Sequence, residues 1–311
     1  MQTTSLPAPL SGIVPPMVTP LTADGELDVV GLQRLVEHIL QGGVHGLFVL
    51  GTTGEGPLLS GRLQRDLIDR VCDLVAGRAP VLVGVTDTSL AESILLARHA
   101  HAAGASAAVY APPCYFPVSQ VDLLRCIEQL AIQSPLPVVM YNMPALTKAS
   151  FQADTVRRMA SDPRVIGFKD SSGDLEQFEA MRDASASRPD WAMMTGPELL
   201  LKQSLEMGGT GGVCGGANLF PRLFVDLYKA VVEGNHEQAE ELQLVVERLD
   251  ALYRLSADGG TGCIQGLKAG LEEISICGRT MAAPHAALPT SRQAEVQAVI
   301  SDVSEAMAAG V

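Results

Sequence analysis

Apolar runs of six or seven residues alternate along the chain with longer stretches in which apolar positions recur every three or four residues. The short runs are GIVPPMV (12–18), GLFVLG (46–51), VLVGVT (81–86), SAAVYAP (106–112), PVVMYN (137–142), VIGFKD (165–170), WAMMTG (191–196) and GGVCGG (211–216), and they predict strands. Helical periodicity lies between them, at 27–43, 63–77, 91–104, 121–133, 151–162, 175–186, 199–209 and 223–234. Strands that are apolar throughout, rather than alternating, belong to a parallel sheet covered on both faces. Eight strand-helix units in succession predict closure into a (β/α)₈ (TIM) barrel over residues 1–234. Two further helical patterns, EQAEELQLVVERLDALYRL and SRQAEVQAVISDVSEAMAAG, predict a C-terminal helical extension, 235–311, packed on the barrel.

Composition narrows the class of partner. Against 22 basic residues stand 35 acidic ones, a net charge of -13 that repels phosphate backbones and anionic lipid. Nucleic acid is thereby disfavoured. The stretch from His99 to Val121 lacks Asp, Glu, Lys and Arg, but it carries two histidines, Gln120 and three prolines, so no membrane span is expected. Six scattered cysteines without a C-x-x-C pair, and no leader-like segment, predict a reduced cytoplasmic protein.

In such a barrel the active site is built where the strands end. Those positions are Thr19, the GTTGEG turn (51–56), Thr86, the APPCY stretch (111–115), Tyr141 with Asn142, Lys169 with Asp170, Thr195 with Gly196, and GGVCGG. Of five lysines only Lys169 ends a predicted strand. An ion pair with Asp170, or a side chain snorkelling to water, would account for it structurally. The chemical alternative is that a lysine desolvated among apolar neighbours loses its proton readily and attacks a carbonyl to form a Schiff base. Tyr141, ending the preceding strand, is placed to shuttle protons for that imine, although a packed tyrosine bonded to backbone is the simpler reading of it taken alone.

The glycines of GTTGEG permit close backbone approach, so that its amides, with Thr52 and Thr53, can hold a carboxylate; a plain tight turn is the alternative. No lysine follows its last glycine, as a Walker A loop requires. The pair His99 and His101 point to different helix faces and no H-E-x-x-H or Cys/His cluster occurs, so metal catalysis has weak support. A serine-hydrolase G-x-S-x-G elbow is also missing.

Three motifs on three strands, G-T-T-G-E at 51–55, Y-N-x-P at 141–144 and G-x-K-D at 167–170, resemble in order and spacing one family over about residues 10–300. This is the family of lysine-dependent class I aldolases and lyases that includes dihydrodipicolinate synthase, N-acetylneuraminate lyase, 2-keto-3-deoxygluconate aldolase and 4-hydroxy-2-oxoglutarate aldolase. The resemblance implies that Lys169 forms an imine with pyruvate, that Tyr141 is general acid/base, and that Thr52 and Thr53 bind the keto-acid carboxylate and relay protons. It also implies a cofactor-free homotetramer, a dimer of dimers. Gly51, Gly196, Glu198 and Val213 are further substrate-binding candidates.

Departures from the pattern bear on substrate. Two residues after the proline of Y-N-x-P, dihydrodipicolinate synthases carry an arginine that grips a second carboxylate, and here Leu146 stands there. Cys114 aligns with the relay tyrosine that those synthases lend across the dimer interface, with Tyr115 one place later as the candidate for that role. Sialate lyases tend to carry several acidic residues after the seventh strand, where GPELL offers only Glu198. The expected activity is therefore an aldolase or dehydratase acting on a 2-keto-3-deoxy sugar acid or a hydroxy-oxoglutarate, with an aldehyde or sugar acid as the second partner. Dihydrodipicolinate synthase and then N-acetylneuraminate lyase are the alternatives. A keto-acid-binding sensor or scaffold is the non-enzymatic one, motivated by Cys114.

Overall fold

The computed structural model describes residues 6–256 and 261–309. Its strands are β1 (Gly12–Ile13), β2 (Leu47–Val49), β3 (Val81–Gly84), β4 (Ala107–Tyr110), β5 (Val138–Asn142), β6 (Val165–Asp170), β7 (Ala192–Thr195) and β8 (Gly211–Gly212). They form one parallel sheet in the order β1-β8-β7-β6-β5-β4-β3-β2. A parallel bridge between Pro16 and Phe48 joins the segment after β1 to β2 and closes the barrel.

The helices around it are α1 (Val29–Gln41), α2 (Gly61–Val75), α3 (Leu90–Ala103), α4 (Gln120–Gln133), the single turn α5 (Pro144–Thr147), α6 (Ala153–Ala160), α7 (Leu175–Ala184), α8 (Leu201–Glu206) and α9 (Pro221–Val232). Polar caps start several of them: the side chains of Asp28, Ser60, Ser89, Ser119 and Asp174 accept first-turn amides. Three more helices, α10 (His236–Tyr253), α11 (Gly262–Glu273) and α12 (Gln293–Ala308), pack on one another and, through α10, on α9. Among the described residues no helix is long and apolar enough to cross a membrane.

The first predicted strand, 12–18, shrinks to two residues, because Pro15 and Pro16 have no N–H to give to a ladder. The fully buried Asn218 takes over. Its Oδ1 accepts from Val18 N at 3.0 Å and its Nδ2 donates to Pro16 O at 2.9 Å, so a side chain replaces the missing backbone pairing.

Two apolar layers result. Leu10, Val14, Phe48, Leu82, Val109, Val139, Tyr141 and Met194 are among those that fill the barrel, while a larger layer lies between the strands and the helices. Along β5 the alternation is regular: Val138 and Met140 face the helices, Val139 and Tyr141 face inward. Strand β6 breaks that alternation. Val138 pairs with Val165 but Val139 pairs with Gly167, so Ile166 is an extra residue, a bulge. From Gly167 onward the two strands stay in register, with Phe168 outward beside Met140 and Lys169 beside Tyr141.

Candidate active site

Lys169 is 5% exposed. Its Nζ lies 3.9 Å from the centroid of the Tyr141 ring and 5.2 Å from that of Phe48. Neither simple alternative for this lysine describes it: the side chain does not reach water, and the Asp170 carboxylate is bonded elsewhere. Asp170 Oδ1 accepts from Asn142 Nδ2 at 2.8 Å and Oδ2 from Ser172 Oγ at 2.5 Å. Burial pushes the Asp170 carboxyl above its ordinary pKa, and those hydrogen bonds oppose the rise. Two aromatic faces give a cation about 2 kcal/mol at a desolvated site, less than the several kcal/mol lost on leaving water. The amine is therefore held there by the fold around it.

Tyr141 is also buried, and its hydroxyl lies 3.2 Å from Thr52 Oγ1. Burial alone would drive the phenol upward. The Lys169 charge and hydrogen bonds involving Thr52, Ser171 and Lys169 outweigh that effect and hold it below its ordinary value. A phenol poised in this way can give and take a proton at the atom next to the amine.

The GTTGEG turn is tightly wound. A Cβ on Gly56 would meet Leu50 O at 2.2 Å, and one on Gly54 would meet Met17 O at 2.8 Å, so both positions require glycine. Glu55 N donates to Thr52 O, Gly56 N to Gly51 O, and Thr19 Oγ1 to Gly54 O. Among the described residues the amides of Thr52 and Thr53 donate to no backbone carbonyl, which leaves them available to an anion.

Above the pair lies a cavity of roughly 300 Å³. Gly51, Thr52 and Tyr141 line it; Thr53 stands beside them in the turn, and Lys169 borders it through the Tyr141 and Phe48 rings. Four expected site residues lie elsewhere. Tyr115 is 87% exposed at positive φ and turns away from the cavity of its own chain, which Cys114 lines instead. Glu198 is buried outside the cavity wall, accepting from Tyr253 Oη at 2.5 Å and Gly216 N at 2.9 Å. Burial raises its carboxyl pKa against those bonds. Gly196 N donates to Asp170 O at 2.7 Å, and Val213 is packed in the barrel interior.

Several wall residues escaped the sequence reading. Phe48 was hidden in the apolar run of β2, and Thr261, Ile264 and His285 come from the C-terminal extension, where no strand end points to them. Leu146, 47% exposed, stands at the wall, and among the described residues neither arginine nor lysine lines it.

Residues 9–303 match the Dihydrodipicolinate synthetase family. The chain belongs to that family. With it comes the enzyme class, a class I lyase that works through a Schiff base. Within this family the chain is 32% identical to a putative 2-dehydro-3-deoxy-D-gluconate aldolase, YagE of Escherichia coli K12, over 94% of its own length and 97% of the relative's. It is 34% identical to a 4-hydroxy-tetrahydrodipicolinate synthase of Pseudomonas putida W619, over 79% and 82% of the two chains. A solved dihydrodipicolinate synthase from Bacteroides thetaiotaomicron superposes with a TM-score of 0.92 at 43% identity, covering 96% of this chain and all of the other. The YagE structure in complex with pyruvate superposes with a TM-score of 0.88 at 29% identity, covering 94% and 98%.

Proposed function

We propose that this lyase makes and breaks a carbon–carbon bond between pyruvate and an aldehyde through an imine on Lys169. One observation carries the reading: Lys169 and Tyr141 stand in register on adjacent strands, with Thr52 Oγ1 joined to the phenol beside the cavity. In this reading the backbone amides of Thr52 and Thr53 receive the keto-acid carboxylate. The Lys169 amine attacks the keto carbon, and Tyr141 gives the departing water its proton. The resulting phenolate then removes the proton of the hydroxyl on the far side of the scissile bond, the aldehyde leaves, and the electron pair of the broken carbon–carbon bond flows into the protonated imine, which becomes an enamine. Protonation and hydrolysis release pyruvate.

The name carried by YagE and the cation-free wall support a 2-keto-3-deoxy sugar acid, or a hydroxy-oxoglutarate, as the substrate class. Tetramer formation as a dimer of dimers belongs to the same proposal, with exposed Tyr115 offered to a second copy. Borohydride reduction in the presence of pyruvate tests the core of it. The expected product is a protein heavier by one reduced pyruvate, mapped to the peptide holding Lys169; an unmodified peptide would reject the reading.

Dihydrodipicolinate synthesis is disfavoured by Leu146, which leaves the wall without a cation for a second carboxylate. Leu146→Arg is accordingly expected to raise kcat/KM for aspartate semialdehyde by about tenfold or more, the worth of one charge-assisted hydrogen bond. An unchanged ratio between that aldehyde and an uncharged one would show that Leu146 does not set the choice.

A further inference from the structure

The geometry points to Glu55 and Lys268 as positioning residues: a buried ion pair through which the C-terminal extension latches the turn that receives the keto-acid carboxylate. This inference rests on the function proposed above, in that the turn is taken to hold that carboxylate.

Glu55 lies three residues after Thr52 and closes the same turn, its N–H donating to Thr52 O at 3.0 Å. Its backbone is left-handed, φ +56°, a conformation a β-carbon-bearing residue holds only where its surroundings enforce it. The enforcement comes from far along the chain. Glu55 Oε1 is ion-paired with Lys268 Nζ, and Oε2 accepts from Ala282 N at 2.7 Å. Lys268, on α11, also donates to Thr280 O at 2.6 Å. Both charged side chains are fully buried. The pair thus ties the turn after β2 to one helix of the extension and to the segment around Thr280 and Ala282 that follows it.

A buried ion pair is a poor source of stability, because desolvation consumes most of the Coulomb attraction, but losing one partner leaves the other charged and unpaired. The pair is better explained by the precision it gives a backbone that must present two adjacent amides to an anion. It is also electrically neutral as it stands. Without Lys268, the Glu55 carboxylate would face the incoming substrate carboxylate from three residues away.

The test is Lys268→Met in the full-length protein. KM for pyruvate is expected to rise by about tenfold or more, with kcat changing by less than about threefold. Hydrogen exchange without any ligand should accelerate at the Glu55 and Gly56 amides and stay unchanged along β6. Glu55→Gln keeps an acceptor for Ala282 N and should show the same pattern more weakly; because the two act as one unit, Glu55→Gln/Lys268→Met should be no worse than Lys268→Met alone. An unaltered KM in a folded variant, or exchange at Glu55 and Gly56 equal to that of the parent, overturns the inference. Should Lys268→Met fail to fold, Glu55→Gln is judged by the same two readings. If the unsubstituted protein forms no pyruvate adduct, the proposed function fails, and exchange alone then decides whether the latch exists.

Discussion

Lys169→Met is expected to lower kcat by at least about 10³-fold while leaving thermal stability unchanged or raised, by about 1 kcal/mol. The two halves have one cause. The Lys169 side chain is packed against the rings of Tyr141 and Phe48, with no carboxylate among the hydrogen bonds or ion pairs described for it. Removing water from an amine of this kind costs more than two aromatic faces return, so an apolar side chain of similar length suits the place better. The proposed reaction needs the nitrogen that stability would discard, the usual conflict between activity and stability. Steady-state kinetics and a thermal melt on the same preparation check both halves. Turnover within tenfold of the parent would remove Lys169 from the chemistry, and a stability loss of several kcal/mol would show that the amine makes bonds the fold depends on.

Tyr141→Phe should keep the fold and lower kcat by about 10²- to 10⁴-fold, the range of a lost general acid/base. The ring stays under Lys169 and within the barrel core, while the hydroxyl that meets Thr52 Oγ1 is gone. A second readout concerns pH. The phenol of Tyr141 titrates lower in the folded chain than the ordinary 10, despite burial, because of Lys169 and the surrounding hydrogen bonds. A depressed folded-state value means that the unfolded chain binds the proton more tightly, so the parent gains stability relative to Tyr141→Phe as pH rises from that value to about 10. The gain is complete above 10 and is lost as pH falls back through the folded-state value. Denaturation of both proteins at pH 7 and pH 9.5 should therefore show a wider gap at the higher pH. A gap that narrows would mean that the phenol is not held as an anion beside Lys169.

Much of the site could be read from the strand ends. Lys169, Tyr141, Thr52 and Gly51 all sit where a parallel barrel places its chemistry, and three motifs fixed the family. Other candidates lie outside the cavity of this chain for identifiable reasons. Glu198 follows β7 as a sugar-binding carboxylate would, yet Tyr253, from the extension, and Gly216, after β8, occupy both its oxygens. Tyr115 and Cys114 are neighbours in a loop, and Cys114 lines the cavity of this chain while Tyr115, at φ +88°, is exposed. The Glu55–Lys268 pair joins residues more than two hundred positions apart, and no periodicity announces such a contact.

By itself the sequence determined the eight-fold rhythm, the apolar strands and the identity of the residues at their ends, because burial on both faces and helical periodicity are local properties of composition. Tertiary structure alone decided which way Lys169 faces. An uninterrupted alternation from outward-facing Val165 would have turned Lys169 outward, among the helices, and VIGFKD is apolar enough to permit either phase. The bulge at Ile166 shifts that phase by one residue, and Gly167 allows it, since any Cβ there would meet the Ala192 side chain at 2.6 Å. Pairing with two neighbouring strands, an interaction no single segment contains, thus puts the amine beside the phenol.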